Sequence, residues 1–212
     1  MAVSVEGQTE EEFVKEILAP HLRQYNVCAI PILLGRAIGW HQGGGNVNID
    51  RLVRDMKHLA HSFDYITSLV DFYGFKEKCQ LGVDQLEARI HDRIQENYPK
   101  RGNVFIPYVQ LHEFEGLLFS DVEQFIRQLI DLYGTSQSKA NELRKIVNEF
   151  PNPEDINDNS NTAPSKRIER IEPEYHKVID GPLIAEMIGL NIIRDKCPRF
   201  NYWVTKLESL QD

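Results

Sequence analysis

A chain of 212 residues with a formal net charge of −8, 42% hydrophobic and 26% charged, reads as ordered and globular, with one core or a core plus an appendage. The acidic balance excludes a metal-free protein that coats polyanions by charge alone. No run approaches the roughly 20 apolar residues that span a bilayer, no basic-then-apolar leader opens the sequence, and three scattered cysteines, Cys28, Cys79 and Cys197, suit a reducing cytoplasm rather than a disulfide or thiolate-zinc framework.

Ala2 to Val5 is a short apolar strand. Thr9 then opens a helix as N-cap, with Glu12 three residues on completing a capping box. Phe13, Val14, Ile17, Leu18 and Leu22 form its apolar face, and Pro20 bends it because proline removes an amide donor. Val27 to Leu34 is the next strand, followed by the glycine-rich loop GRAIGWHQGGGNVN. Ile49, Leu52, Val53, Met56 and Leu59 mark a second amphipathic helix. DYITSLVDFYGF supplies a third strand, apolar almost without interruption through Val70, as a strand buried on both faces requires. Val83, Leu86, Ile90 and Ile94 mark a third helix, and NVFIPYVQLHEFEG a fourth strand whose Pro107 suits a sheet edge.

This alternation predicts an α/β fold, a mostly parallel four-stranded sheet with flanking helices over residues 1–120. Beyond Leu117 only helical patterns follow, roughly 121–133, 137–149, 173–188 and 198–209, interrupted by the polar connector PNPEDINDNSNTAPSKR. Residues 121–212 are therefore expected to be a helical extension packed on the α/β core.

Open parallel sheets bind ligands beyond the carboxyl ends of their strands. Glu6 ends the first strand, Asp71 the third, Glu113 and Glu115 follow the fourth, and Glu10 lies in the first turn of the first helix. Carboxylates gathered on one rim stay ionised when a cation sits among them, and oxygen donors suit Mg²⁺ or Mn²⁺. Gly7 would let a phosphate or metal approach the backbone. The structural alternative is that a strand-end Asp caps the next helix and a strand-end Glu complements its dipole. His112 beside Glu113 is either a general acid or a satisfied strand-end histidine. Gly43, Gly44 and Gly45 can cradle phosphate, though no P-loop or dinucleotide pattern surrounds them. Trp40 and His41 either stack on a base or anchor that loop. Ser165, Lys166 and Arg167 either contact phosphates or form a solvated helix start paired with Glu169 and Glu172. Lys177, Asp180 and Arg194 are weaker candidates for the same cleft. Cys197, before Pro198, reads as a buried structural thiol.

VEGQTE after the first strand and VDFYGF after the third, with strand–helix alternation between them, resemble the TOPRIM domain, the metal-binding fold of topoisomerases, primases and overcoming-lysogenisation-defect nucleases. Within that group the whole chain resembles a bacterial family, domain of unknown function 4276, through VEGQTEEEFV, DFYGF, HEFEGLLFSD, TAPSKRI and CPRFNYW. The resemblance places the TOPRIM glutamate at Glu6 and the first aspartate of its paired motif at Asp71. The second aspartate falls at Tyr73, a poor Mg²⁺ ligand, which favours a one-metal site or an inactive relative over a two-metal site, and Glu113 or Glu115 is the candidate to replace the missing acid. It implies a Mg²⁺- or Mn²⁺-dependent nuclease in which Glu6 also takes a proton from the attacking water. Lys166 and Arg167 would neutralise transition-state charge. An ATPase on a separate chain and a role in phage defence follow from the same resemblance. The alternative is a non-catalytic interaction subunit with a vestigial site; chemistry on a free nucleotide is a third reading.

Overall fold

The computed structural model describes residues 1–35, 47–79, 81–98, 104–156 and 162–210, and these form two compact units. The first comprises Met1–Gln110 and Leu207–Asp212, the second Leu111–Lys206.

In the first unit, β1 (Ala2–Val5), β2 (Ile30–Leu33), β3 (Ile66–Asp71), β4 (Phe105–Ile106) and β5 (Val109–Gln110) make a parallel sheet of order β2-β1-β3-β4, with β5 also paired to β3. The chain leaves β1 toward β2 on one side and returns through β2 to β3 on the other. Right-handed crossovers then put the helix after β1 on one face, and α3 (Ile49–Leu59) and α4 (Val83–Asn97) on the other. Leu52, Met56, Leu86, Ile90 and Ile94 from that pair pack on Ile66, Val70 and Val109 of the sheet. All six residues of β3 are buried, which accounts for its unbroken apolar character.

Two local expectations change. The first helix begins earlier than Thr9: Gly7 is its N-cap, and its N–H donates to Glu10 Oε2 at 2.9 Å. The reciprocal acid of the box is therefore Glu10 rather than Glu12. Helix α1 (Gln8–Phe13) widens into a π-helical turn (Val14–Leu18), where Ala19 N–H reaches back five residues to Val14 O. Helix α2 (Ala19–Arg23) then carries Pro20 in its first turn, where a missing N–H costs least. The expected fourth strand is split into β4 and β5 around Pro107 and Tyr108. Ser68 spans the break, its hydroxyl donating to Tyr108 O at 2.9 Å and accepting from Tyr108 N–H at 3.0 Å.

The second unit is helical: α5 (Val122–Tyr133), α6 (Gln137–Glu149), α7 (Pro164–Ile171), α8 (Lys177–Ile188), α9 (Leu190–Lys196) and most of α10 (Pro198–Glu208). They surround a buried 3₁₀ segment, Phe114–Asp121, in which Phe114, Leu117, Leu118 and Phe119 are enclosed. The unit also encloses carboxylates, each held by donors. Glu154 accepts the Arg199 and Phe200 N–H groups at 2.9 and 3.0 Å, capping α10. Glu172 accepts from Thr135 Oγ1 at 2.6 Å and Lys139 Nζ at 2.9 Å. No described helix is long and apolar enough to cross a membrane.

Two outcomes follow from these contacts. Replacing Ser68 with Ala strands the Tyr108 amide in a buried site, and urea unfolding should show a loss of about 1–3 kcal/mol. Burial pushes the Glu172 carboxyl up, but the Thr135 and Lys139 hydrogen bonds outweigh it and hold the group below its ordinary value of 4.5. A folded-state value depressed in this way adds stability above the unfolded value, and that stability is lost as pH falls through the folded one. Melting temperature recorded from pH 6 downward should fall more steeply in the wild type than in Thr135→Val, whose carboxyl has lost a hydrogen-bond donor.

Candidate functional site

The order of the sheet reverses at β1, so the helices after β1 and β3 leave toward opposite faces and open a crevice at the strands' carboxyl ends. Register places Val5 beside Leu69, hence Glu6 beside Val70 and Asp71 one residue further along the neighbouring strand. Strand separation and rise then set the Glu6 and Asp71 Cα atoms roughly 6 Å apart. Asp71 is buried, only 9% exposed, and Glu6 half-buried.

A tight 3₁₀ turn, Phe72–Gly74, follows Asp71 and folds over the end of β1. The Glu6 carboxylate lies against the backbone of Gly74: a Cβ added there would meet both carboxylate oxygens, with Cδ only 2.9 Å away. Gly74 therefore lets the strand-end turn close on Glu6, a role for this glycine that its place in DFYGF does not reveal by itself. Tyr73, in the same turn, is half-buried beside Phe72, with ring centroids 6.1 Å apart.

Two neighbouring residues serve the helix start instead. Gly7 N–H is taken by Glu10, so this amide is not turned toward a ligand, and Glu10 is buried at 3% exposure as that hydrogen-bond acceptor. Their expected roles, phosphate approach for Gly7 and metal ligation for Glu10, give way to capping because an uncapped helix N-terminus leaves donors unsatisfied.

The remaining expected residues belong to the second unit. His112 holds a left-handed backbone conformation (φ 65°), forming a turn after β5. Glu113 Oε2 accepts the Ser165 N–H at 3.0 Å, so the acid of HEFEG caps the helix of TAPSKRI. Ser165 is buried in the first turn of α7, presenting its N–H to that acid. Glu115 is fully buried and paired with Lys177 Nζ at 3.0 Å. Just after these acids, Gly116 approaches Pro153 so closely that an added Cβ would stand 3.2 Å from its carbonyl oxygen. Lys166 is exposed and paired with Glu169 at 2.6 Å, an ion pair of small energetic weight. Arg167 Nε donates to Thr162 O at 2.7 Å, and the guanidinium lies 5.2 Å from the Phe150 ring centroid. Asp180 accepts from the His176 N–H and the Tyr133 hydroxyl, completing a cap that shares one element with Lys177. Arg194 is held by Asn201 and Thr205. Cys197 is buried beside Ser120, and burial pushes its thiol up to about 12, which agrees with a structural thiol. Gly43, Gly44 and Gly45, with Trp40 and His41, lie outside the described residues.

Among the described residues, no group of three or more His, Cys, Asp or Glu side chains is arranged to hold a metal ion. A cage made wholly by the protein does not fit these residues. Glu6 and Asp71 lie at the ends of adjacent strands, and carboxylate donors of this kind suit a small hard cation that keeps most of its waters. Sequence proximity to β5 puts Glu113 and Glu115 forward as ligands; their partners are 52 and 62 residues away in the chain, beyond the reach of a local motif.

Residues 5–208 match the model of a family described as a domain of unknown function, DUF4276. No curated protein and no solved structure matches the chain.

Glu115 offers a direct check on its structural role. Lys177→Met leaves a fully buried carboxylate without its cation and should lower stability by about 3 kcal/mol in urea unfolding. Combining it with Glu115→Gln should restore much of that loss.

Proposed function

The chain belongs to the DUF4276 family, and from its strand-end carboxylates we propose a Mg²⁺- or Mn²⁺-dependent phosphodiesterase with a TOPRIM-like site, acting on nucleic acid. The observation that carries this reading is the meeting of VEGQTE and DFYGF at the β1–β3 crevice. Glu6 and Asp71 end adjacent central strands there, and Gly74 brings the following turn against Glu6.

Glu6 and Asp71 would hold the cation, which when bound neutralises phosphate charge and lowers the pKa of an attacking water. Register fixes the backbone positions of Glu6 and Asp71 in relation to each other, and the Gly74 turn limits how far the Glu6 carboxylate can swing. Both constraints favour one orientation of the scissile phosphate. Glu6 is also the base nearest such a water, and its carboxylate would accept the proton released. Lys166 and Arg167 are left out of this core reading, being engaged within the helical unit. By the same resemblance, a separate ATPase chain and a part in phage defence belong to the proposal.

A second reading, a non-catalytic interaction subunit of an ATPase-containing complex, is favoured by Tyr73 at the second aspartate position and by the two-carboxylate rim.

The deciding experiment is cleavage of end-labelled single- and double-stranded DNA and RNA with Mg²⁺, Mn²⁺ or chelator. Metal-dependent products should fall at least about 100-fold in Glu6→Gln and in Asp71→Asn. Gly74→Ala should also impair cleavage by displacing Glu6. Folded variants that cut like wild type would overturn the site. If no substrate is cut and calorimetry detects no Mg²⁺ binding, the interaction-subunit reading takes its place.

A further inference from the structure

Helices α3 and α4 cross the sheet face side by side and leave a groove between them. Its first part is lined by Ile49, Asp50, Glu77, Leu81, Arg89 and Arg93. Its continuation, about 320 Å³, is lined by Asp50, Val53, Arg54, Lys57, Arg93, Asn97 and Tyr98. Four cations therefore face two acids, in a chain whose net charge is −8.

The cations are ordered along the two walls. Arg54 and Lys57 are three apart on α3, and Arg89 and Arg93 four apart on α4, so each pair lies one above the other on its helix. All four are exposed. Among the described residues Arg93 pairs with Asp50 at 3.2 Å and Glu96 at 3.5 Å, and both pairs are solvent-exposed and readily exchanged. At the far end Lys57 lies 5.6 Å from the centroid of the half-buried Tyr98 ring.

The groove also has a fixed relation to the β1–β3 crevice. The segment after Asp71 runs through Gly74 to Phe75, which bridges to Val47, and Lys76 N–H donates to Val47 O at 3.2 Å. Glu77 next accepts the Ile49 N–H at 3.4 Å. The turn that covers Glu6 is thus continuous with the residues that open the groove.

We infer that the α3–α4 groove is the track for the phosphodiester backbone of a single-stranded nucleic acid leading away from the Glu6–Asp71 crevice. The inference rests on the phosphodiesterase reading and names the path of its substrate. Guanidinium groups match phosphate oxygens in a two-pronged manner, and a basic groove ending in an aromatic ring is the usual means of holding a single strand without reading its sequence. Asp50 competes with phosphate for Arg93 and limits affinity.

The test is fluorescence anisotropy of labelled 20-nucleotide single-stranded DNA and RNA, with a duplex as comparison, in chelator so that no chemistry occurs. Salt is varied from 50 to 200 mM. Arg54→Glu with Lys57→Glu should weaken single-strand binding at least tenfold and reduce the salt slope by about 1.4, near 0.7 for each phosphate no longer neutralised. Arg89→Glu should act in the same direction, Asp50→Asn should tighten binding severalfold, and Lys145→Glu in the helical unit should change nothing. Circular dichroism verifies that each variant is folded.

If wild type binds and folded groove variants bind equally well with an unchanged slope, the groove assignment fails while the strand-end site stands. If the groove variants lose binding but no substrate is ever cut, the groove stands and the phosphodiesterase reading fails. A loss confined to the duplex overturns the single-strand assignment, and a wild type that binds no oligonucleotide in chelator overturns the groove, while the metal-dependent cleavage assay decides the strand-end site on its own.

Discussion

The parallel pairing of β1 with β3 is the constraint on which the first unit depends. Both strands are enclosed on both faces, and they pair in the register that sets Val5 beside Leu69. That register fixes which residues emerge at the carboxyl ends, and these are Glu6 and Asp71. The direction of chain travel makes this pair of strands the point where the crossovers diverge, so the two acids stand at the switch point of the sheet. Gly74 then sets the last dimension. A side chain there would push the turn off Glu6, and the glycine keeps the acid confined between strand end and turn.

The helical unit uses the same residue type for the opposite purpose. A carboxylate removed from water is costly unless donors replace the lost hydration. Glu154 meets two N–H groups at the start of α10, Glu113 one at the start of α7, and Asp180 the His176 N–H and a phenol. Glu115 meets an ammonium. Helix N-termini are rich in unsatisfied donors, and burying acids against them satisfies both sides. Apart from the local Asp180–His176 contact, these join segments far apart in sequence, which gives the acids of the helical unit an architectural reason to be where they are.

The distinction between these two kinds of acid explains what the sequence reveals. Period-2 and period-3.6 patterns show β1, α3, β3 and α4 plainly, because each buries one continuous apolar face. Glu6 and Asp71 are legible as strand ends for the same reason. The cap at Gly7 is not, since glycine carries no capping side chain and Thr9 and Glu12 offer a more conventional box two residues later. Pro107 indicates an edge strand, but the repair of the break depends on Ser68, a residue that local pattern marks only as part of a buried strand. Glu113 and Glu115 look like rim acids because they follow a strand in the sequence. Their actual partners become visible only once α7 and α8 are placed around the 3₁₀ segment.

Charge closes the argument about a substrate. An acidic chain repels a polyanion at long range, so affinity for one must come from a local arrangement in which positive groups face the ligand and acids face something else. In the first unit Glu10 faces its own helix amide and Asp55 the Gly35 N–H, which takes both acids out of any field directed outward. Arg54, Lys57 and Arg89 are exposed along one groove, where Arg93 is shared with Asp50 and Glu96. A divalent cation at Glu6 and Asp71 would offset the charge of the two acids at the crevice itself, so that the site would repel a phosphodiester without metal and accept it with metal. Under that arrangement binding along the groove and reaction at the crevice respond to different variables. The groove would answer to monovalent salt, through the ions a single strand releases, and the crevice to divalent metal. The two dependences are separable because the residues responsible lie on different elements, the groove on α3 and α4 and the crevice on the ends of β1 and β3.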